Sequence, residues 1–195
     1  TWDYYHDLDR FLGWIDAAAE HVHLLNPPPA IRWNHHKGYL LELERAGVPV
    51  VPTRLLRRGT TGDLAPALED LIFRGGVMVK PAVGAGSWNA RRFESGPADA
   101  AAARGFAAGL LERCDVLLQP IVPGYADPGE RSLVWIDGQW THAVRKRPRY
   151  DGEDESVIAD GPISAAERAF GDRVMAAIAG GAADSRGWSS RLLQA

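Results

Sequence analysis

Cysteine is nearly absent: Cys114 stands alone among 195 residues. One thiol builds neither an internal disulfide framework nor a cysteine metal cluster, and it fits a reducing compartment such as the cytoplasm. Apolar runs of membrane-spanning length are missing as well, so no membrane partner is expected. So is any basic excess. The formal net charge is −3, and without a basic stripe nucleic acid is not expected as a partner. The opening, Thr1-Trp2-Asp3-Tyr4-Tyr5-His6-Asp7, is polar and aromatic and has no signal-peptide pattern. It also has no initiator methionine, and the chain is expected to begin inside a longer protein. No Ser/His/Asp or Cys/His pattern, internal repeat or low-complexity tract stands out beyond an alanine-rich helix. What is present is 46% hydrophobic residues, enough core for one domain or two small ones.

The stretch Val77-Met78-Val79-Lys80-Pro81-Ala82-Val83-Gly84-Ala85-Gly86-Ser87-Trp88-Asn89 reads as a buried strand, a lysine and a small flexible loop. Pro81 ends the ladder. Gly84 and Gly86 let backbone N–H groups come close to an anion, as phosphate-cradling loops do. The plainer reading is a turn with a solvated lysine at its edge.

Around this stretch the spacing predicts a helix over 7–20, with Leu8, Phe11, Leu12 and Ile15 on one face. A short strand, Val22 to Leu25, follows, and Pro27-Pro28-Pro29 marks a boundary. His21 and His23 alternate on that strand, but without acidic or thiol partners nearby they read as strand-edge residues. Asn34 caps a helix from His35 to Ala46, stopped by Gly47, with Lys37 in its first turn. A cation at that positive end suits an anion nearby, or else is simply solvated. Pro49 to Thr53 reads as a short strand. Further helices are expected after Thr60-Thr61-Gly62-Asp63, up to Gly75-Gly76, and from Ala98 to Arg113. Trp88 to Phe93 returns as an antiparallel strand, and Asp115 to Gln119 is a buried one. Pro120-Ile121-Val122-Pro123-Gly124 is an extended connector whose backbone groups can serve a flat ligand. Leu133–Ile136 and Gln139–Val144 form a hairpin about Asp137-Gly138. Arg145, Lys146, Arg147 and Arg149 can bind phosphate or carboxylate, or balance the acidic run Asp151 to Glu155. Ser164-Ala165-Ala166-Glu167 is a capping box opening a last helix with Phe170, Val174 and Ile178 inward.

This ordered set resembles the ATP-grasp superfamily. Asn34-His35-His36-Lys37-Gly38-Tyr39-Leu40, Gly47-Val48-Pro49-Val50-Val51-Pro52-Thr53, Val79-Lys80-Pro81 and the stretch from Gln119 to Pro148 resemble glutathione-synthetase-like ligases. The likeness is nearest to the actinobacterial branch that includes the cyclo-ligase of cycloserine biosynthesis, and it covers roughly Trp2 to Ile178. It implies an α+β fold of two subdomains gripping a nucleotide, with ATP and Mg2+ as cofactors. Lys37 and Lys80 would contact phosphates, and the amides of Gly84, Gly86 and Ser87 would form a lid over them. Adenine would lie against Gln119, Pro120, Ile121 and Val122. Because Pro120 cannot donate, the N–H for the ring would come from Ile121 or Val122. Val79, Ile121 and Val122 would sandwich the ring. Glu130 would meet the ribose hydroxyls or help position magnesium, and Lys146 would stand by the transferring phosphoryl group as the catalytic cation. The implied reaction is ATP-dependent joining of a small carboxylate to an amine, both amino-acid-like, through an acyl phosphate. Such ligases often form homo-oligomers.

Departures from the pattern qualify the activity. The family's late Asp and Glu strands for magnesium are not seen after Ile178, and Asp184 lacks strand-like neighbours. The arginines that sibling families carry after Arg149 are replaced by acidic residues. The expected organisation is a remnant of an N-terminal domain over 1–28, an N-terminal ATP-grasp subdomain over 29–119, a partial C-terminal subdomain over 120–181 and an irregular tail over 182–195. A truncated ligase and a catalytically inactive nucleotide-binding or scaffold protein are both compatible with these residues.

Overall fold

The computed structural model describes residues 3–123, 129–146 and 156–182. The chain divides into two compact units. One comprises 36–41 and 49–122, the other 1–35, 42–48 and 123–195.

The first unit is built on a four-stranded antiparallel sheet, β1 (Arg54–Leu56), β2 (Val77–Pro81), β3 (Arg91–Phe93) and β4 (Val116–Pro120), in the order β1-β4-β2-β3. The helices α1 (Ala65–Phe73) and α2 (Pro97–Leu111) cover one face. The core beneath them joins Leu68 and Ile72 of α1, Ala103, Ala107, Leu110 and Leu111 of α2, and Val77, Val79, Phe93, Val116 and Leu118 of the strands. Alanines at 103 and 107 have no exposed surface, which explains the alanine-rich sequence: α2 lies close on the sheet because its buried stripe is small. Both helices open on proline in the first turn, where the missing N–H costs nothing.

The second unit contains a helical N-terminal part and a C-terminal sheet. In the former, α3 (Leu8–His21) is capped by the Asp7 carboxylate accepting from the Arg10 N–H, and α4 (Pro28–Asn34) starts on Pro28. Arg32 of α4 pairs with Asp16 of α3. A further helix, α5 (Tyr39–Arg45), has residues in both units. The C-terminal sheet is β5 (Glu130–Ile136), β6 (Gln139–Lys146) and β7 (Val157–Ala159), antiparallel in that order, with α6 (Ala165–Ala177) after it. Asp137 and Gly138 both take positive φ, 50° and 84°, which matches a two-residue hairpin turn to the strand twist. Ser164 and Glu167 form the reciprocal capping box of α6.

Several expectations are corrected. Val22 to Leu25 is not a strand, and the proline run starts a helix instead of only separating segments: Pro27 is the cap, and Pro28 takes the first helical position. Pro49 to Thr53 is not a strand; pairing begins one residue later, at Arg54 against Leu118. Pro81 is itself paired, opposite Val116, and the ladder ends on it as expected. The helix expected from His35 to Ala46 is interrupted, with a turn over 35–38 before α5 begins at Tyr39. Lys37 therefore lies in that turn and not in a helical first turn. Arg147, Arg149, the acidic run 151–155 and the tail 183–195, including Asp184, fall outside the described residues.

Candidate functional site

Strand alternation decides which side chains leave the core. In β2, Val77, Val79 and Pro81 are buried, while Met78 and Lys80 are half-buried. Val79 is fully enclosed in the core under α1 and α2 and cannot stack on a ligand, contrary to the expectation of it as a wall. Met78 is the residue that shares a face with Lys80. Across the ladder Met78 pairs with Gln119 and Lys80 with Leu117. The face of the sheet turned away from the core of α1 and α2 thus carries Met78, Lys80, Leu117 and Gln119. Reading the alternation outward from Lys80 would have identified Met78; the apolar run Val77-Met78-Val79 hid it.

Lys37 is brought to the C-terminal end of β2 by its turn. Its N–H donates to Ala82 O at 2.8 Å, and its ammonium donates to Gly84 O at 2.7 Å. Burial first, and the like charge of Lys80 second, lower the Lys37 pKa to about 8. The structure therefore joins three of the expected elements, Lys37, Lys80 and the glycine loop. Gly84 contributes its carbonyl to Lys37, and Gly86 and Ser87 both adopt left-handed backbone at φ 58° and 60°. Beyond them the Trp88 N–H closes on Ala85 O at 3.0 Å, so the loop is a defined turn.

The turn over 35–38 is held from the side by Asp115. Its carboxylate accepts from the Arg58 N–H at 2.7 Å and from the Arg57 guanidinium at 2.8 Å, and it meets His36 Nε2 at 3.2 Å. Partial burial pushes its pKa up, but the bonds from Arg58, Arg57 and His36 together outweigh that and hold it low. The Asp115 carbonyl also accepts from the Ala82 N–H at 2.8 Å. Neither His36 nor Asp115 is legible as a site residue in the sequence, where they stand far apart.

The connector is anchored at its start. The Gln119 side chain is buried and donates to Thr53 Oγ1 at 2.8 Å. The Ile121 N–H donates to Gly76 O at 3.3 Å, so of the two donors considered for a flat ring, Ile121 is already engaged. Val122 is 43% exposed. Gly76 has φ 110°, and a Cβ on it would stand 2.5 Å from Ile121 Cδ1 and 2.6 Å from Phe93 O, so only glycine permits this approach.

In the other unit, Glu130 and Lys146 are directly opposed in the β5–β6 register. Glu130 Oε1 accepts from the buried Ser132 hydroxyl at 3.0 Å. The opposite face of this sheet carries a cluster not anticipated from sequence. Arg131 bonds Glu167 Oε1 at 2.5 Å and Pro162 O at 2.9 Å, and reaches both the carbonyl and the carboxylate of Asp160. Arg145 also pairs with Asp160, at 2.5 Å. These contacts raise the Arg131 pKa, chiefly through Asp160, and the capping bonds from Ser164 with that from Arg131 lower Glu167 to about 2. Among the described residues no group of three or more His, Cys, Asp or Glu side chains could hold a metal ion, and no helix is long and apolar enough to cross a membrane.

No protein-family model matches the chain. The cycloserine biosynthesis protein DcsG of Streptomyces lavendulae is 32% identical over 141 residues, 70% of this chain and 46% of that protein. The chain thus spans about half the length of that relative. The crystal structure of the D-cycloserine synthetase DcsG superposes with a TM-score of 0.75 at 26% identity, over 93% of this chain and 63% of that one. The RimK domain protein ATP-grasp from Sphaerobacter thermophilus gives a TM-score of 0.60 at 17% identity, over 87% and 60%. A D-alanine–D-alanine ligase from Bacillus anthracis gives 0.54 at 16%, over 76% and 48%, and these last two speak for the fold alone. The mixed helices and antiparallel sheets, the Lys37–Lys80 pair beside its glycine loop and these relatives agree: the chain belongs to the ATP-grasp superfamily and is related to the cycloserine biosynthesis protein.

Proposed function

We propose that this chain binds ATP and forms part of an ATP-dependent carboxylate–amine ligase acting on small amino-acid-like substrates in the cytoplasm. The observation that carries the reading is Lys37. A buried ammonium beside a second lysine is destabilised in the empty protein, and a polyphosphate is the ligand that relieves both its desolvation and its repulsion. The relative named a cycloserine biosynthesis protein, and the solved structure named a D-cycloserine synthetase, support the ligase half of the proposal.

In this reading Lys37 and Lys80 neutralise the phosphates while the loop at Gly84, Gly86 and Ser87 closes over them. The adenine ring lies between Met78 and the connector, against Gln119, Pro120 and Ile121, with its ring nitrogen accepting from the Val122 N–H. Glu130 serves the ribose, and Lys146 is the catalytic cation near the transferring group. A substrate carboxylate oxygen attacks the terminal phosphorus and ADP leaves. The amine nitrogen then attacks the acyl carbon, its C–O bond to phosphate breaks, and the amine loses a proton. The chain's contribution is positioning and charge neutralisation. Magnesium is customary in such chemistry, but the described residues supply no ligand cluster for it and no step is assigned to it here. A nucleotide-binding protein without turnover is the alternative reading, and phosphate release separates the two.

The test is thermal unfolding with millimolar ATP and magnesium. A ligand that binds only the folded state raises Tm. A rise that vanishes in Lys80→Ala supports nucleotide binding, and no rise in the folded wild type overturns it. Phosphate release dependent on an added amino acid, and lost in Lys80→Ala, separates the ligase from the inactive binder.

A further inference from the structure

Lys37 reaches its place through a turn of only a few residues, and the hydrogen bonds of His36 define that turn. The Gly38 N–H donates to His36 Nδ1 at 3.0 Å. A backbone amide can only donate, so Nδ1 must be the bare nitrogen of a neutral ring, and the ring proton sits on Nε2. That proton points to Asp115 Oδ2 at 3.2 Å. Asp115 is in turn oriented by the Arg57 guanidinium and the Arg58 N–H. The ring edge also stands close to Gly38, where a Cβ would be 2.8 Å from Nδ1, 3.1 Å from the neighbouring ring carbon and 3.6 Å from Leu55. His36 is thus bonded on one ring edge to the strand framework and on the other to the residue after Lys37.

We propose that His36, in its neutral Nε2–H form, is the positioning residue for Lys37, and that a second proton on its ring releases the 36–38 turn and withdraws Lys37 from bound phosphate. Protonation puts a hydrogen on Nδ1 opposite the Gly38 N–H, two donors facing one another, so that bond must break. The charged groups around the ring are Asp115 and Arg57 from the framework and Lys37 from the turn itself, with Lys80 beyond Lys37. Asp115 offers an imidazolium a counter-charge, and it keeps its bond in either form. The bond lost on protonation is the one to Gly38. The consequence runs against simple electrostatics. Acid adds positive charge beside an anion site, yet nucleotide affinity should fall.

This rests on the ATP reading above, but the turn can be read without ATP. The experiment uses the full chain as wild type, His36→Asn, His36→Ala and Gly38→Ala. Asparagine at 36 can accept from the N–H two residues on as an Asx turn and carries no titratable ring. In the apo protein the Gly38 amide resonance and its hydrogen exchange are followed from about pH 8 to about pH 5.5. The Gly38 amide should lose protection in acid in wild type, hold it throughout in His36→Asn, and lack it at every pH in His36→Ala and Gly38→Ala. MgATP titrations on the same proteins should show affinity about 10-fold weaker in His36→Ala and Gly38→Ala at pH 8, near wild type in His36→Asn, with the extra acid-side loss confined to wild type. Gly38 protection unchanged in acid in wild type, or retained in His36→Ala, overturns the proposal. So does an Asn variant as weak as the Ala variant with its fold intact. If the wild type binds no ATP, the ATP reading falls, while the amide experiment still decides whether His36 holds the turn.

Discussion

Two cationic side chains near strand ends have opposite surroundings. Arg131, on the C-terminal sheet, is enclosed by Glu167, two carbonyls and the Asp160 carboxylate, and its charge is held more firmly than in water. Lys37, beside β2, has a carbonyl and a second lysine, and its charge is held less firmly. Among the described residues the chain supplies carboxylates to the first cation and only a carbonyl and a like charge to the second, for which the proposed nucleotide would be the anion. That contrast separates a structural clamp from a binding group better than residue type does, because both are basic residues adjoining antiparallel strands.

Removing the two charges should therefore move stability in opposite directions. Arg131→Met strands Asp160 and Glu167 and should lower Tm by about 5 °C. Lys37→Met keeps an apolar stem of similar length while removing the desolvated ammonium, so the apo Tm should hold or rise. The ATP-induced increase in Tm should disappear in Lys37→Met and survive in Arg131→Met at the lower baseline. A fall in apo Tm for Lys37→Met comparable to that of Arg131→Met would erase the distinction between the two cations.

Two glycines extend the comparison to packing. A Cβ at Gly76 meets the backbone oxygen of Phe93 as well as the Ile121 side chain, on a backbone at φ 110°. The three atoms nearest a Cβ at Gly171 of α6 all belong to the indole of Trp140, and that indole is tied through Nε1 to Asp172 at 2.7 Å. Backbone cannot step aside as a side chain can. Gly76→Ala should cost about 3 kcal/mol in chemical denaturation and also weaken ATP binding, since Gly76 O holds the connector through the Ile121 N–H. Gly171→Ala should cost about 1–2 kcal/mol and leave the nucleotide response unchanged. The reverse ranking would show that the connector is not seated as described.

The parts of this fold legible in the sequence are those set by neighbours in the chain. The Asp137-Gly138 turn, the Ser164–Glu167 capping box and the strand ending in Lys80 follow from local backbone chemistry. So does the glycine loop, whose left-handed residues need little side-chain bulk. What was not legible depends on partners distant in sequence. Asp115 joins His36 to Arg57, and Arg131 joins Asp160 to Glu167. An uninterrupted apolar run conceals that Val79 faces the helices and Met78 the other side of the sheet. The helix beginning at Pro28 was missed because a proline run reads as a break, although proline is at home in a first turn.

Acid should test the clamp, with Asp115 a second lowered carboxylate that wild type and the Arg131 variant share. Glu167 titrates at about 2 in the folded protein against an ordinary 4.5, and Asp160 is lowered as well, by Arg131 first and Arg145 next. A lowered carboxylate contributes stability above its unfolded pKa and loses it as pH falls toward the folded value. Stability from this cluster should thus be complete at pH 6 and decline between about 4.5 and about 2. The decline should be shallower in Arg131→Met, as measured by urea unfolding at stepped pH. An identical acid limb in wild type and variant would mean that the clamp carries no linked protons.

Base should test Lys37 alone, and by a smaller signal. With a folded pKa of about 8, Lys37 is largely neutral at pH 9 in the empty protein, whereas phosphate restores its preference for the charged form. Binding ATP at pH 9 should therefore take up most of one proton, and binding at pH 6.5, where the ammonium is already charged, should take up almost none at this residue. Calorimetric titrations in buffers of different ionisation enthalpy measure that uptake directly. Comparison with Lys37→Gln removes the nucleotide's own protons from the difference. In the apo protein the sign is also fixed. The charged Lys37 is disfavoured by folding, so its burden on stability should lift as pH rises from about 8 toward 10.5, where the folded chain sheds this proton before the unfolded chain does. Equal proton uptake by wild type and Lys37→Gln at pH 9 would mean that bound phosphate does not meet Lys37.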